Sequence, residues 1–263
     1  MNRPLLYLKR AKEVLTDRGY FYLVRTGFNI MFQRFEFGNT LINSVWQNYY
    51  RAFNYSKKFT FQNTEYNYFY HKYNTTWESE RAVEIPIIWH IVKEHKGKNI
   101  LEVGNVLSHY FNVEHDILDK YEKGRGVINE DVINFSPKKK YDLIVSISTL
   151  EHVGFDEFGG RTGNPTKSKS VSAINSLKNA LAKKGKLIFT FPWGYNQHLD
   201  KLVKNNKIKL SKRLGMKRIS KDNQWAECSF EEVSETKFGK PYSYANGLVI
   251  GIYSTNKINR VNK

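Results

Sequence analysis

The 263-residue chain has one cysteine, Cys228, so an internal disulfide is excluded. No metal-ligand set gathers around that thiol. It reads as a small buried hydrophobe, and the chain as a protein of a reducing, cytoplasmic compartment. Long hydrophobic runs are missing as well. No stretch approaches the ~20 apolar residues of a membrane span, and Arg25 interrupts the most apolar early segment, residues 20–24. Residues 1–10 lack the apolar core and small-residue cleavage site of a signal peptide. Acidic residues are scarce: 25 Asp and Glu stand against 42 Lys and Arg, a formal net charge of +17. That balance draws anionic partners, whether nucleic acid, acidic lipid, nucleotide-linked sugar or acidic glycan, without choosing among them. A Lys-rich face is also simply a solvated one.

What is present supports a core. Hydrophobic residues make up 40% and aromatic residues 15%, with 17 Tyr, 17 Phe and 5 Trp, so most of the chain folds. Residues 1–76 read as an aromatic and basic N-terminal extension. In it Leu5, Leu8, Val14 and Leu15 share one side of a helix that packs on the same protein or rests on an anionic membrane. Residues 36–75 show no clear period and read as loops with short elements. From Trp77 an apolar helical pattern runs to Gly97, divided into two pieces by Pro86.

After Gly97 strand and helix signals alternate. Short apolar runs at 99–103, 115–119 and 126–129 precede the strongest one, Tyr141-Asp-Leu-Ile-Val-Ser-Ile-Ser148. A helix over 171–182, stopped by Lys183-Lys184-Gly185, leads to a strand at 186–191. A Lys-rich stretch at 201–221 and a final strand at 247–253, finishing one sheet edge in antiparallel fashion, complete the chain. The fold class is α/β: a Rossmann-like, mostly parallel sheet with helices on both faces and an antiparallel last strand, spanning residues 77–263.

Open α/β sheets bind ligands beyond the carboxyl ends of their strands. Glu102, Gly104, Asp119, Asp131 and the run from Ser148 to His152 occupy those ends. Singly, Gly104 is a turn glycine and each aspartate a loop or cap residue. Together they follow a pattern. Leu101-Glu-Val-Gly104 resembles motif I of class I S-adenosylmethionine-dependent methyltransferases. Tyr141 through Val153 resembles that family's fourth strand and following loop, and Leu181-Ala-Lys-Lys-Gly-Lys-Leu-Ile-Phe-Thr-Phe-Pro192 its turn and fifth strand. The resemblance covers residues 99–195.

It implies S-adenosylmethionine as cofactor, with Gly104 and Asn105 against its methionine part and Glu102 anchoring the ammonium through the loop. Asp119 is implied as acceptor for both ribose hydroxyls, and Asp131, or Glu130 beside it, for the adenine amino group. Ser146 and Ser148 are implied near the sulfonium. Two departures stand out: the loop reads Gly104-Asn-Val-Leu-Ser108 where the family has further glycines, and only residues 120–125 separate the second and third strands.

Methyl transfer relies on alignment and, for a hydroxyl acceptor, a base. His152 and then Glu151 are the candidate bases, His152 having a structural reading too. Trp193 and Tyr195 are candidate acceptor-pocket walls or core residues. No metal is expected. The leading expectation is O-methylation of a small-molecule or glycan-like acceptor. Nucleic-acid methylation is the alternative suggested by the 201–221 stretch, and a degenerate scaffold docking to a membrane or partner is the third. Oligomeric state is not legible in the sequence.

Overall fold

Seven residues, Tyr141–Ile147, form the strand around which the rest is arranged. Apolar side chains on both of its faces demand cover from both sides. Ile144 points into one core with Leu177, Phe189 and Val249. Leu143, Val145 and Ile147 point into the other with Ile85, Ile88 and Leu248. The computed structural model that shows this describes residues 36–54, 57–154 and 169–255. The helix expected near residues 5–15 lies outside them.

The elements in order are α1 (Glu36–Asn54), β1 (Lys58–Phe61), β2 (Thr64–Asn67), a 3-10 segment (Tyr73–Glu78), α2 (Arg81–Glu94), β3 (Ile100–Val103), a second 3-10 segment (Leu107–His109), β4 (Asp116–Leu118) and β5 (Val127–Ile128). Then follow β6 (Tyr141–Ile147), α3 (Lys169–Ala180), β7 (Leu181–Pro192), α4 (Gln197–Lys204), β8 (Lys212–Arg218), β9 (Trp225–Cys228), α5 (Phe230–Ser234) and β10 (Gly247–Ser254). Eight strands form one sheet in the order β5-β4-β3-β6-β7-β10-β8-β9. The pairs from β5 to β7 are parallel, and those from β7 to β9 antiparallel. Helix α2 packs on one face and helices α3, α4 and α5 on the other. This is the expected Rossmann-like sheet.

Several local readings change. Pro86 does not split the helix at 81–94. Its missing N–H would leave the Ala82 carbonyl free, but the Phe69 N–H donates to that oxygen at 2.9 Å. The final strand is not at an edge: β10 lies between β7 and β8, where its run of apolar side chains is covered on both faces. Residues 36–54 form a helix, not loops. The 201–221 stretch becomes the end of α4 and strand β8, with Met216 and Arg218 buried. The Arg218 guanidinium donates to the carbonyls of Glu78, Ser220, Lys221 and Ser243.

The described part of the N-terminal extension joins the domain. Phe59, Phe61 and Tyr68 share a core with α2 and β6, and the Trp225 N–H donates to the Tyr68 hydroxyl at 2.8 Å. Helix α3 ends at Ala180, short of the expected 182, and Lys183-Lys184-Gly185 lies within β7, where the register slips from Tyr141–Leu181 to Leu143–Lys186. Lys184 takes a left-handed φ of 72°, and a Cβ on Gly185 would lie 2.7 Å from the Tyr141 carbonyl oxygen. No helix among the described residues is long and apolar enough to cross a membrane.

Candidate functional site

From β3 the chain proceeds outward to β4 and β5, then returns to β6 and proceeds the other way to β7. Strands β3 and β6 therefore bound the switch-point crevice at their carboxyl ends, where open α/β sheets bind ligands. A cavity of about 460 Å³ opens there, lined by Val103, Gly104, Leu118, Asp119, Asp131, Thr149 and His152 among others. Its size falls within the ~300–1,000 Å³ of small-molecule sites.

Gly104 turns the chain off β3 at φ 85°. A Cβ there would stand 2.8 Å from Thr149 Cγ2 and overlap the Thr149 hydroxyl, so two crevice walls meet across an absent side chain. Glu102 does not face the cavity. It is fully buried: Oε1 accepts the N–H groups of Val106 (2.9 Å) and Leu107 (2.7 Å), and Oε2 lies 2.7 Å from His115 Nε2. This carboxylate shapes the loop in place of the missing glycines.

Asp119, just past β4, lines the cavity with part of its capacity spent. Oδ1 accepts the N–H groups of Tyr121 and Glu122, each at 2.8 Å, and Oδ2 accepts that of Asn105 at 3.0 Å. Of about four acceptor positions on a carboxylate, one is left. The Asn105 amide donates to Glu122 Oε1 at 2.8 Å. Asp131 also lines the cavity; its Oδ2 lies 3.0 Å from Lys120 Nζ, and its Oδ1 accepts the Ile133 N–H at 3.0 Å.

Beyond β6, the candidate residues separate. Ser146 is buried in the strand, its hydroxyl without a hydrogen-bond partner. Ser148 adopts φ 40° and donates to Glu84 Oε1 at 2.6 Å. Thr149, not these serines, reaches the cavity. His152 lines the cavity too, with Tyr195 beside it: the tyrosine oxygen lies 3.5 Å from Nδ1. Trp193 turns into the core, where its indole N–H donates to the Ser234 carbonyl and its ring meets Phe230 edge-on. Of the two aromatic wall candidates, Tyr195 alone stands beside His152.

A second cluster, which the sequence reading missed, lies behind Ser148. Its members come from the first turn of α2. Glu84 is fully buried; Oε1 accepts the hydroxyls of Ser148 and Thr190, and Oε2 lies 3.5 Å from Arg81 Nη1. The same Arg81 nitrogen lies 3.4 Å from the Ile147 carbonyl, which also accepts the Thr149 hydroxyl at 3.0 Å. Glu151 faces this group with neither carboxylate oxygen hydrogen-bonded, and burial pushes its pKa well above its ordinary value. Its Oε1 is 3.8 Å from His152 Nε2. Burial also raises Glu80, with the Glu84 charge adding to the effect. The available signal was Glu80-Arg81-x-x-Glu84 opening an otherwise apolar helix. No group of potential metal ligands occurs among the described residues.

No protein-family model and no curated protein matches the chain. Solved structures do. The N-methyltransferase NodS from Bradyrhizobium japonicum WM9 is 13% identical, over 68% of this chain and 97% of that one, with a TM-score of 0.40. TehB from Haemophilus influenzae is 12% identical over 70% and 65%, TM-score 0.39. CalS10, an amino pentose methyltransferase from Micromonospora echinaspora, is 13% identical over 49% and 59%, TM-score 0.30. These likenesses are faint, and the Rossmann-like fold of this chain stands on its own strand order and register.

Proposed function

We propose that this chain is a class I methyltransferase, using S-adenosylmethionine to methylate a hydroxyl of a small-molecule or glycan-like acceptor. One observation carries the reading: a cavity at the switch point brings together Gly104, Asp119, Asp131, Thr149 and His152 from four separate segments. The cofactor fits this donor set in part. Asp119 has one acceptor position for a ribose hydroxyl, fewer than the two the resemblance implied. Asp131 offers a carboxylate toward an adenine amino group, and the apolar walls of Val103, Leu118, Val132 and Val153 suit a purine. When bound, the cofactor supplies an electrophilic methyl whose bonding electron pair leaves with sulfur.

The protein's own work is orientation and proton removal. An acceptor hydroxyl loses one proton as its oxygen takes the methyl. Glu151 receives it: its carboxyl lacks a hydrogen-bond partner, and burial raises its affinity for a proton. His152, 3.8 Å away, relays the proton toward solvent.

Purified chain incubated with methyl-labelled S-adenosylmethionine and a cell extract tests the reading. Label transferred to an alkali-stable, small or glycan product supports it. Label in RNA would favour the nucleic-acid alternative, and no transfer at all the scaffold.

A further inference from the structure

We propose that Arg81, Glu84 and Glu151 form the acceptor subsite, and that it recognises a pair of neighbouring hydroxyls on a neutral sugar. The inference rests on the methyltransferase reading and gives that site a substrate class. Three observations lead to it.

The first is place. Arg81 and Thr149 bind the same carbonyl, Ile147 O, and Thr149 lines the cofactor cavity. The cluster is therefore one residue behind the cavity wall, and Glu151 directly precedes His152, which also lines the cavity.

The second is unmet hydrogen-bonding capacity. Both oxygens of Glu151, which is 1% exposed, have no hydrogen-bond partner, and Oε2 of Glu84, which is 0% exposed, has only its 3.5 Å ion pair with Arg81. A buried carboxyl in that condition is costly unless a ligand completes it. Arg81 makes one long hydrogen bond and one ion pair, both through Nη1, so Nε and Nη2 remain as donors among the described residues. Its side chain keeps 14% exposure, so of the three it is the one that meets solvent.

The third is charge. Arg81 and Glu84 offset one another, and burial holds Glu80 toward the neutral acid, which leaves Glu151 to take the proton of a bound hydroxyl. A near-neutral array of alternating donors and acceptors complements hydroxyls, each of which both donates and accepts. An ammonium or carboxylate ligand would meet no matching excess of charge.

The test begins with S-adenosylhomocysteine titrated into the full chain by calorimetry, which checks the underlying reading by itself. The unmodified protein is then assayed with S-adenosylmethionine and methyl glycosides of mannose, galactose and rhamnose, their monodeoxy analogues, and glucosamine. The expected results are turnover of at least one glycoside and a loss of at least 30-fold in kcat/KM on removal of the hydroxyl next to the methylated one. Arg81→Lys, which keeps the charge and loses the planar fork, should raise the glycoside KM at least tenfold while S-adenosylhomocysteine affinity stays within twofold. The proposal is overturned if the protein binds S-adenosylhomocysteine yet turns over no glycoside, or prefers glucosamine by tenfold or more, or tolerates every deoxy analogue. The deoxy series needs no variant, so a misfolded Arg81→Lys does not blunt the test.

Discussion

Gly104→Ala probes the contact between the two crevice walls. The new Cβ has two consequences. At φ 85° a residue with a Cβ sits in the left-handed region, which costs about 1–2 kcal/mol. The methyl also presses on Thr149, whose Cβ and Cγ2 lie 3.0 and 2.8 Å from its position, and overpacking of that kind costs about 1–3 kcal/mol. The sum is about 2–5 kcal/mol, or a fall in Tm of roughly 5–15 °C for a domain of this size. A double-mutant cycle with Thr149→Ala separates the two. The alanine removes the hydroxyl and Cγ2, so the second substitution should recover about 1–2 kcal/mol of the packing cost and none of the dihedral cost. Thermal and urea unfolding of the four proteins measures this. A Gly104→Ala protein within ~0.5 kcal/mol of the parent, or a cycle with no coupling, would refute the crevice geometry.

Other consequences follow from buried carboxyls and from the proline. Burial pushes Asp200 up to about 7 while its Oδ2 accepts the Gly194 N–H at 3.0 Å. The folded state then holds a proton that the unfolded chain releases near pH 4, so stability falls as pH rises from about 4 to 7 and levels off above. Asp200→Asn keeps the acceptor and should flatten that slope, removing about 2–3 kcal/mol of the difference between urea unfolding at pH 5 and at pH 8, at 1.4 kcal/mol per pKa unit. Glu151 must be ionised to act as a base, so kcat should rise with pH through its elevated pKa. Glu151→Gln should remove that limb and lower kcat about 10²–10⁴-fold. Pro86→Ala should change stability by less than ~1 kcal/mol, because Phe69 already occupies the carbonyl that a new N–H would seek.

The parallel half of the sheet was legible because its strands carry local signals. A both-face apolar run marks β6, and the run from Leu187 to Phe191 marks the buried half of β7, whereas Lys183-Lys184-Gly185, read as a helix stop, falls in the irregular start of that strand. Gly104 and Asp119 were legible because strand ends are where such sheets bind ligands. Helix α1 was overlooked although Val45, Trp46, Tyr49, Tyr50 and Phe53 repeat at helical spacing; the abundance of aromatics around them hid the period. The position of β10 and the continuity of α2 through Pro86 depend on partners far along the chain, Lys217 and Phe69, which local pattern does not name. The same holds for Glu84, whose hydroxyl partners are 64 and 106 residues away. Ser146 and Ser148 were assigned by their place in a motif, but the turn at φ 40° aims Ser148 at Glu84 and leaves Thr149 to face the cavity.

The central claim is that the crevice between β3 and β6 binds the methyl donor. Calorimetric titration of S-adenosylhomocysteine into the purified chain tests it most directly, with Asp119→Ala as the comparison. The account predicts one site per chain and a 10- to 150-fold weaker Kd in the variant, from loss of a charge-assisted hydrogen bond of about 1.5–3 kcal/mol. No saturable binding to the parent protein, or equal binding to both, would contradict it.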